Sequence, residues 1–369
     1  VVDRHLADLS ERLRVLRFIT PVNSRDLREA YLQGAPEAPP AAYLYRDEEE
    51  DLDDAKRALF EVPIRSESEL GQVFRRKRDE LHDVLTMLQA RGTGERRERS
   101  RLLFGTTTPD ELKALQGWLA LPPDPPAERT LNAREAVQYL KRRLNQTKLA
   151  ADVRIRPHLG SAAAAGETSI GIRQDATFSE PELDRIFVHE AETHILRYRN
   201  GEVQPFRALY YHGFPRHGDG AGNYMYTEEG IATLHEELTG TLTNNRRRLI
   251  AARALAVYLM DSEGLSFNDV FQTLRDDHGF EPETAYSISE RTFRGGGFTK
   301  DHIYQTGYTQ VRSMVRDESF DLQLLYCGKT GLEWRSLLER LHQEGSGSIH
   351  RPRYLPTWLA SVLRERTET

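Results

Sequence analysis

The chain has 369 residues, of which 38% are hydrophobic and 29% are charged, and its formal net charge is −6. A negative net charge excludes a global positive field, so neither nucleic acid nor an anionic membrane is an expected partner. The single cysteine, Cys327, excludes an internal disulfide framework and a cysteine-rich zinc site. No apolar run approaches the ~20 residues that span a bilayer, and no secretory signal pattern opens the chain, so we expect a cytoplasmic protein.

The first 150 residues have the pattern of a helical region. Apolar residues recur at helical spacing over 6–19, and further helical patterns cover 67–91, 110–121 and 132–145. Prolines at 122–126 separate two of these patterns, because proline interrupts helices. No group of chemically reactive side chains accompanies them. We interpret this region as a scaffold or as a cap over a site elsewhere.

The pattern changes near residue 151. Alternating polar and apolar residues predict strands at 152–156 and 168–173, separated by a loop of small residues at 161–166. Ser179, followed by acidic residues and Pro181, predicts the start of a helix. A small sheet followed by a helix is the order found in zincin peptidases, in which an edge strand pairs with an extended substrate.

These patterns predict a mostly α-helical α+β fold. We expect a helical N-terminal scaffold or cap region over residues 1–150. Residues 151–369 would form a zincin-like catalytic core with a small antiparallel or mixed sheet and C-terminal helices.

Two histidines and a glutamate lie close together on the helix that follows Ser179. Imidazoles are common zinc ligands, and Glu190, beside His189, has the chemistry of a general base acting on water. The second histidine, His194, comes one residue later than in the HExxH motif of zinc peptidases. Positions i and i+5 of a regular α-helix point roughly 140° apart, whereas a π-turn brings them to one side. The segment is therefore either a metal motif on a bulged helix or an ordinary amphipathic helix.

A third ligand is expected from a second helical pattern at 226–237. Glu229 and Glu236 share one face of this helix, and Glu228 and His235 share the next. One carboxylate from this segment would complete a His2Glu zinc site with an open position. The alternatives are a solvated acidic helix and, as a weaker rival ligand, His235.

Glycine and positive charge combine in the segment 291–301. Three consecutive glycines at 295–297 are flanked by the basic residues Arg291, Arg294 and Lys300. Such a loop could hold an anion such as phosphate or a peptide C-terminal carboxylate, and a plain turn is the alternative. Tyr304 and Tyr308 follow one helical turn apart, and a phenol there could donate to an oxyanion.

Taken together, four motifs resemble one known family. They are His189-Glu190-x-x-Thr193-His194, Asn200-Gly201-x-x-Gln204-Pro205, Glu228-Glu229-Gly230-Ile231-Ala232 and Arg294-Gly-Gly-Gly-Phe-Thr-Lys-Asp301. In this order they resemble the QEGLA-motif family (DUF1704), which includes the microtubule-associated tyrosine carboxypeptidases. The resemblance extends over most of the chain.

The resemblance implies a zinc metallopeptidase whose substrate is the C-terminus of a peptide or protein. His189, His194 and Glu229 would be the zinc ligands, and Glu190 would be the general base. Arg291, Arg294 and Lys300 become candidates for binding the substrate carboxylate. A maturation endopeptidase and a non-catalytic regulatory protein that keeps the fold are the alternatives.

Two features depart from the family pattern. Glu228 occupies a position where the family usually has glutamine. The glycine-rich stretch 211–224 is longer than expected and could act as a lid or supply His212 and His217 as extra ligands. The negative net charge gives no support to a role on acidic microtubules.

Overall fold

A computed structural model describes residues 1–13, 15–35, 39–46, 51–157, 159, 161–217, 223–316, 320–345 and 347–359. The α-helices in these residues are Val2–Arg12 (α1), Val15–Ile19 (α2), Ser24–Leu32 (α3), Leu52–Ala58 (α4), Glu69–Gln89 (α5), Glu95–Phe104 (α6), Pro109–Leu119 (α7), Ala133–Thr147 (α8), Glu180–Ile186 (α9), Leu196–Glu202 (α10), Arg207–Tyr210 (α11), Tyr224–Leu238 (α12), Asn244–Asp261 (α13), Phe267–Gln272 (α14), Pro282–Phe293 (α15), Ile303–Val315 (α16) and Arg335–Gln343 (α17). Two π-helices are Phe187–Ile195 and Thr273–Asp277, and the short 3-10 helices are Pro39–Ala42, Arg294–Gly296, Thr299–His302, Leu322–Tyr326 and Leu332–Trp334.

The strands are few and short: Leu131–Asn132 (β1), Asp152–Arg156 (β2), Ala163–Ala165 (β3), Ser169–Arg173 (β4) and Thr177–Phe178 (β5). The order β2-β4-β3 makes one mixed sheet, in which β2 is parallel and β3 antiparallel to β4. β1 and β5 form a separate antiparallel pair. The prediction of a mostly helical α+β fold with a small mixed sheet is confirmed, while its zincin-like character stays a prediction.

Two local predictions are wrong. The loop expected at 161–166 contains β3, because Ala163 and Ala165 pair with Ile172 and Ile170 of β4 despite the weak strand preference of alanine. The single helix expected over 6–19 is two helices. Helix α1 ends at Arg12, since Leu13 has non-helical backbone angles (φ −86°, ψ 87°).

The chain forms two compact units, each built from several segments. Unit 1 comprises Val1–Pro122, Pro215–Asn223 and Asn244–Thr306, and unit 2 comprises Pro123–Phe214, Tyr224–Thr243 and Gly307–Thr369. The proposed boundary near residue 150 stays a prediction. None of the helices described here is long and apolar enough to cross a membrane.

The core of unit 1 lies among α7, α13, α14 and α15, where Leu115, Phe267 and Tyr286 are buried together. In unit 2 the π-helix Phe187–Ile195 packs against α9, α10, α12 and β3. Its apolar ends, Phe187 and Ile195, are both fully buried. The π-helix therefore lies at the centre of unit 2, with polar residues between those ends.

Candidate functional site

The helix that carries the histidine motif has the widened form that a shared metal site would require. Ser179 and Glu182 make a reciprocal capping box that starts α9, and α9 runs directly into the π-helix Phe187–Ile195. The hydroxyl of Thr193 donates to the carbonyl oxygen of Val188, five residues earlier, at 3.2 Å. This wider turn brings the rings of His189 and His194 to the same side, with their centroids 5.0 Å apart.

Glu229, on α12, faces both histidines. Its Oε2 atom lies 3.5 Å from Nε2 of His189 and 3.7 Å from Nε2 of His194. All the candidate ligand atoms lie within 4.8 Å of one another, so the three side chains could hold one metal ion. His189 and Glu229 are almost completely buried, which limits competition from bulk water for such an ion.

The chemistry of this group fits a cation such as zinc. Two imidazoles and one carboxylate make the His2Glu set that leaves a fourth zinc position open. Burial opposes a charge on His189, yet the carboxylates of Glu229 and Glu236 outweigh it and raise the pKa of His189 to about 9. The pocket is thus arranged to stabilise positive charge between these side chains.

Two further carboxylates contact the far sides of the imidazoles. Nδ1 of His189 lies 2.7 Å from Oε1 of Glu236, and Nδ1 of His194 lies 3.4 Å from Oε2 of Glu228. A carboxylate on Nδ1 fixes the tautomer and leaves Nε2 free to ligate. Sequence reasoning placed Glu236 on the same helix face as Glu229 but gave it no role. That shared face was the signal that could have identified it.

Glu228, the departure from the family pattern, is itself held by positive charge. Burial would raise its pKa, but Lys329, His194 and Arg197 together lower it to about 2. The fully buried Arg197 lies 3.5 Å from Glu228 and donates to the carbonyl oxygens of Leu325 and Gly328. Glu228 therefore remains ionised behind His194.

Glu190 lies against the edge strand of the mixed sheet. The backbone N–H of Ala165 in β3 donates to its Oε2 atom at 2.7 Å. This contact fixes the carboxylate, which is only partly buried, beside the histidine group. The strand that sequence reasoning missed thus orients the candidate base.

The rival histidines are not part of the metal group. His235 is completely buried, and its Nε2 atom lies 3.3 Å from Oε2 of Glu192. Its burial and, to a smaller extent, the nearby charge of His189 lower the pKa of His235 to about 3. Among the described residues, neither His212 nor His217 joins a cluster of three potential ligands. Part of the predicted lid at 211–224, residues 218–222, lies outside the described residues.

The predicted substrate-binding residues are divided between the units: Arg291, Arg294, Lys300 and Tyr304 belong to unit 1, and Tyr308 belongs to unit 2 with the histidines. Arg291 is already engaged, since its Nε and Nη2 atoms donate to both oxygens of Asp301 at 2.5 and 2.8 Å. The hydroxyl of Tyr308 donates to Glu237 at 2.9 Å.

A close helix contact holds Glu229 in place. A Cβ atom on Gly230 would lie 2.3 Å from the carbonyl group of Gly307, and one on Gly307 would lie 2.0 Å from the carbonyl oxygen of Tyr226. Only glycine at both positions allows α12 and α16 to approach so closely. The glycine after Glu229 therefore has a packing role.

The chain is similar to a protein from Shewanella oneidensis described as a lipoprotein of unknown function, at 13% identity and a TM-score of 0.41, over 78% of this chain and 70% of the other. That likeness is too low to support an argument. No curated protein matches significantly. The model of the microtubule-associated tyrosine carboxypeptidase family, however, matches residues 31–367. Because the match covers most of the chain, this protein belongs to the microtubule-associated tyrosine carboxypeptidase family.

Proposed function

We propose that this protein is a zinc-dependent carboxypeptidase that removes a C-terminal residue from a peptide or protein. The observation that carries the proposal is the convergence of His189, His194 and Glu229 on one buried point. The family match supports a peptidase of the carboxypeptidase type.

The three ligands would act through Nε2 of His189, Nε2 of His194 and Oε2 of Glu229. Zinc bound there would supply Lewis-acid chemistry, polarising the scissile carbonyl and making a water molecule more acidic. Glu236 and Glu228, on the Nδ1 sides of the imidazoles, would keep both Nε2 lone pairs directed at Glu229.

Glu190 would act as the general base. Its Oε2 atom accepts the hydrogen bond from Ala165, which leaves Oε1 to take the proton from the attacking water. The same carboxyl group would then return that proton to the leaving amine. A carboxylate fixed by backbone in this way does not have to be reoriented before it reacts.

The substrate carboxylate requires a cation. Arg291, Arg294 and Lys300 of the glycine-rich segment are the candidates, and Arg291 also pairs with Asp301. Tyr304 and Tyr308 remain candidate donors to the substrate.

Peptides with a free or an amidated C-terminus test this function. The zinc-loaded protein should release the last residue of the free peptide, and removal of the metal by a chelator should abolish the release. Amidation should remove most of the rate, because an exopeptidase binds the free carboxylate. Internal cleavage of both peptides would indicate the maturation endopeptidase instead. No cleavage with full zinc occupancy would favour the non-catalytic regulator.

A further inference from the structure

Unit 1 contains a buried positive charge that the peptidase chemistry does not use. Arg96, in the first turn of α6, is 0% exposed. Within the described residues, none of its three guanidinium nitrogens has a hydrogen-bond partner. Arginine stays protonated in proteins, and burying an unpaired charge costs several kcal/mol. Some compensating group is therefore expected at this place.

A second arginine lies close to the first. The guanidinium carbons of Arg96 and Arg294 lie 5.4 and 5.1 Å from the centre of the same ring, that of Phe298. The Nε atom of Arg294 also lacks a hydrogen-bond partner among the described residues. Burial and then the charge of Arg294 lower the pKa of Arg96 to about 10, so Arg96 is still charged at neutral pH.

Two tyrosine hydroxyls lie near this pair. The hydroxyl of Tyr43, near Arg294, has no hydrogen-bond partner in the described part of the chain. The hydroxyl of Tyr45 accepts from the N–H of Gly295 at 2.9 Å, so it keeps its own proton to donate. Both tyrosines are only partly buried. The cluster is therefore separated from solvent by two tyrosines that themselves reach the surface.

Asp301 and Glu290, the acids near Arg294, attract its charge but form hydrogen bonds with other residues. Asp301 accepts both hydrogen bonds from Arg291, and Glu290 accepts from the hydroxyl of Ser24 at 2.5 Å. Neither acid forms a hydrogen bond with Arg96.

The glycines explain how the two arginines come together. Gly295 and Gly296 have positive φ angles of 70° and 95°. A Cβ atom on Gly296 would lie 2.9 Å from the carbonyl oxygen of Thr93, and one on Gly295 would lie 3.5 Å from Nε of Arg96. The loop can therefore lie directly on the start of α6, which places Arg294 near Arg96.

We propose that Arg96, Arg294 and the hydroxyls of Tyr43 and Tyr45 form a binding site for a small oxyanion. Planar guanidinium groups and phenols match the acceptor-only chemistry of a phosphate or carboxylate. The site shares Arg294 with the candidates for the substrate carboxylate but contains no metal ligand, so anion binding can be measured without any peptidase reaction.

The test is the thermal unfolding midpoint, Tm, of the full chain at constant ionic strength. Inorganic phosphate and acetate are each titrated against chloride. A ligand that binds only the folded state should raise Tm saturably, by about 2–4 °C near full occupancy. The more effective anion identifies the source as phosphate-like or carboxylate-like. A wild-type protein that responds to neither anion overturns the proposal.

Two variants locate the effect. Arg96→Met should lose the saturable response, whereas Arg99→Met, an exposed arginine paired with Glu95 on the same helix, should keep it. A full response in Arg96→Met contradicts the assignment. Should Arg96→Met fail to fold, Tyr43→Phe provides the decision, because loss of one donor should weaken the apparent affinity several-fold. An unchanged affinity in Tyr43→Phe also contradicts the proposal.

Discussion

Nδ1 of His189 lies 2.7 Å from Oε1 of Glu236, seven residues beyond Glu229 on α12. Helix α12 thus supplies both the candidate carboxylate ligand and the group that orients a histidine. Arg185 lies 3.7 Å from the same oxygen of Glu236 and places a positive charge beside it. Under the proposed function, Glu236 should therefore affect zinc binding through His189 without contacting the ion.

Glu236→Gln should weaken zinc binding without unfolding the protein. The amide preserves shape but is a weaker acceptor for Nδ1–H, so we expect the Kd for zinc to rise about 10–100-fold. Competition with a chromogenic chelator measures the Kd, and far-UV circular dichroism checks the fold. Glu202→Gln, which affects a surface ion pair with Arg199, is the matched control. Equal zinc affinity in Glu236→Gln and wild type would show that Glu236 does not support the ligand.

Gly230→Ala should destabilise the protein by about 3 kcal/mol or more, because the added methyl overlaps the backbone of Gly307. The measurement is urea unfolding of the metal-free chain. The control is Gly117→Ala in α7, where a Cβ atom meets nothing within 4 Å. That substitution should stabilise the protein by roughly 0.5–1 kcal/mol. Equal stability of the two variants would contradict the close contact of α12 and α16.

Asp301 should determine how the free energy of unfolding of unit 1 falls at acidic pH. Burial would raise its pKa, but Arg291, Arg253 and Arg294 hold that pKa well below its usual range. A depressed folded-state pKa means that the stabilisation is complete above the unfolded pKa of about 3.9. The stabilisation is then lost as the pH falls towards the folded-state pKa.

Asp301→Asn should therefore cost about 3–5 kcal/mol at pH 7, since it removes the buried negative charge that faces Arg291, Arg253 and Arg294. The loss should shrink as the pH falls below about 4. Urea unfolding at several pH values measures it. Asp276→Asn, at an exposed pair with Arg275, is the control and should change little. A pH-independent loss in Asp301→Asn would show that packing, and not charge, is responsible.

Local signals predicted much of the fold. Ser179 with Glu182 marked the start of α9 because a capping box is encoded within four residues. The five-residue separation of His189 and His194 made a π-turn the condition for a shared metal site, because no regular α-helix brings them together, and the structure has that turn. The resemblance indicated Glu229 as the third ligand, and the structure brings it to both histidines.

The missed features depend on contacts distant in sequence. Strand β3 consists of alanines, and its conformation comes from pairing with β4. Its hydrogen bond to Glu190 spans 25 residues, and the contact of His189 with Glu236 spans 47. The pairing of Arg291 with Asp301 was also missed, because the sequence contains Asp301 in the same segment but does not show that its buried carboxylate contacts Arg291.

The most direct test of the peptidase proposal compares wild type with Glu190→Gln, both loaded with zinc and matched for zinc content. The measured quantity is the rate at which each protein releases the C-terminal residue from a peptide library. Loss of a positioned general base should lower that rate at least about 100-fold while zinc content stays the same. Equal rates in the two proteins would contradict the role of Glu190 and with it the proposed mechanism.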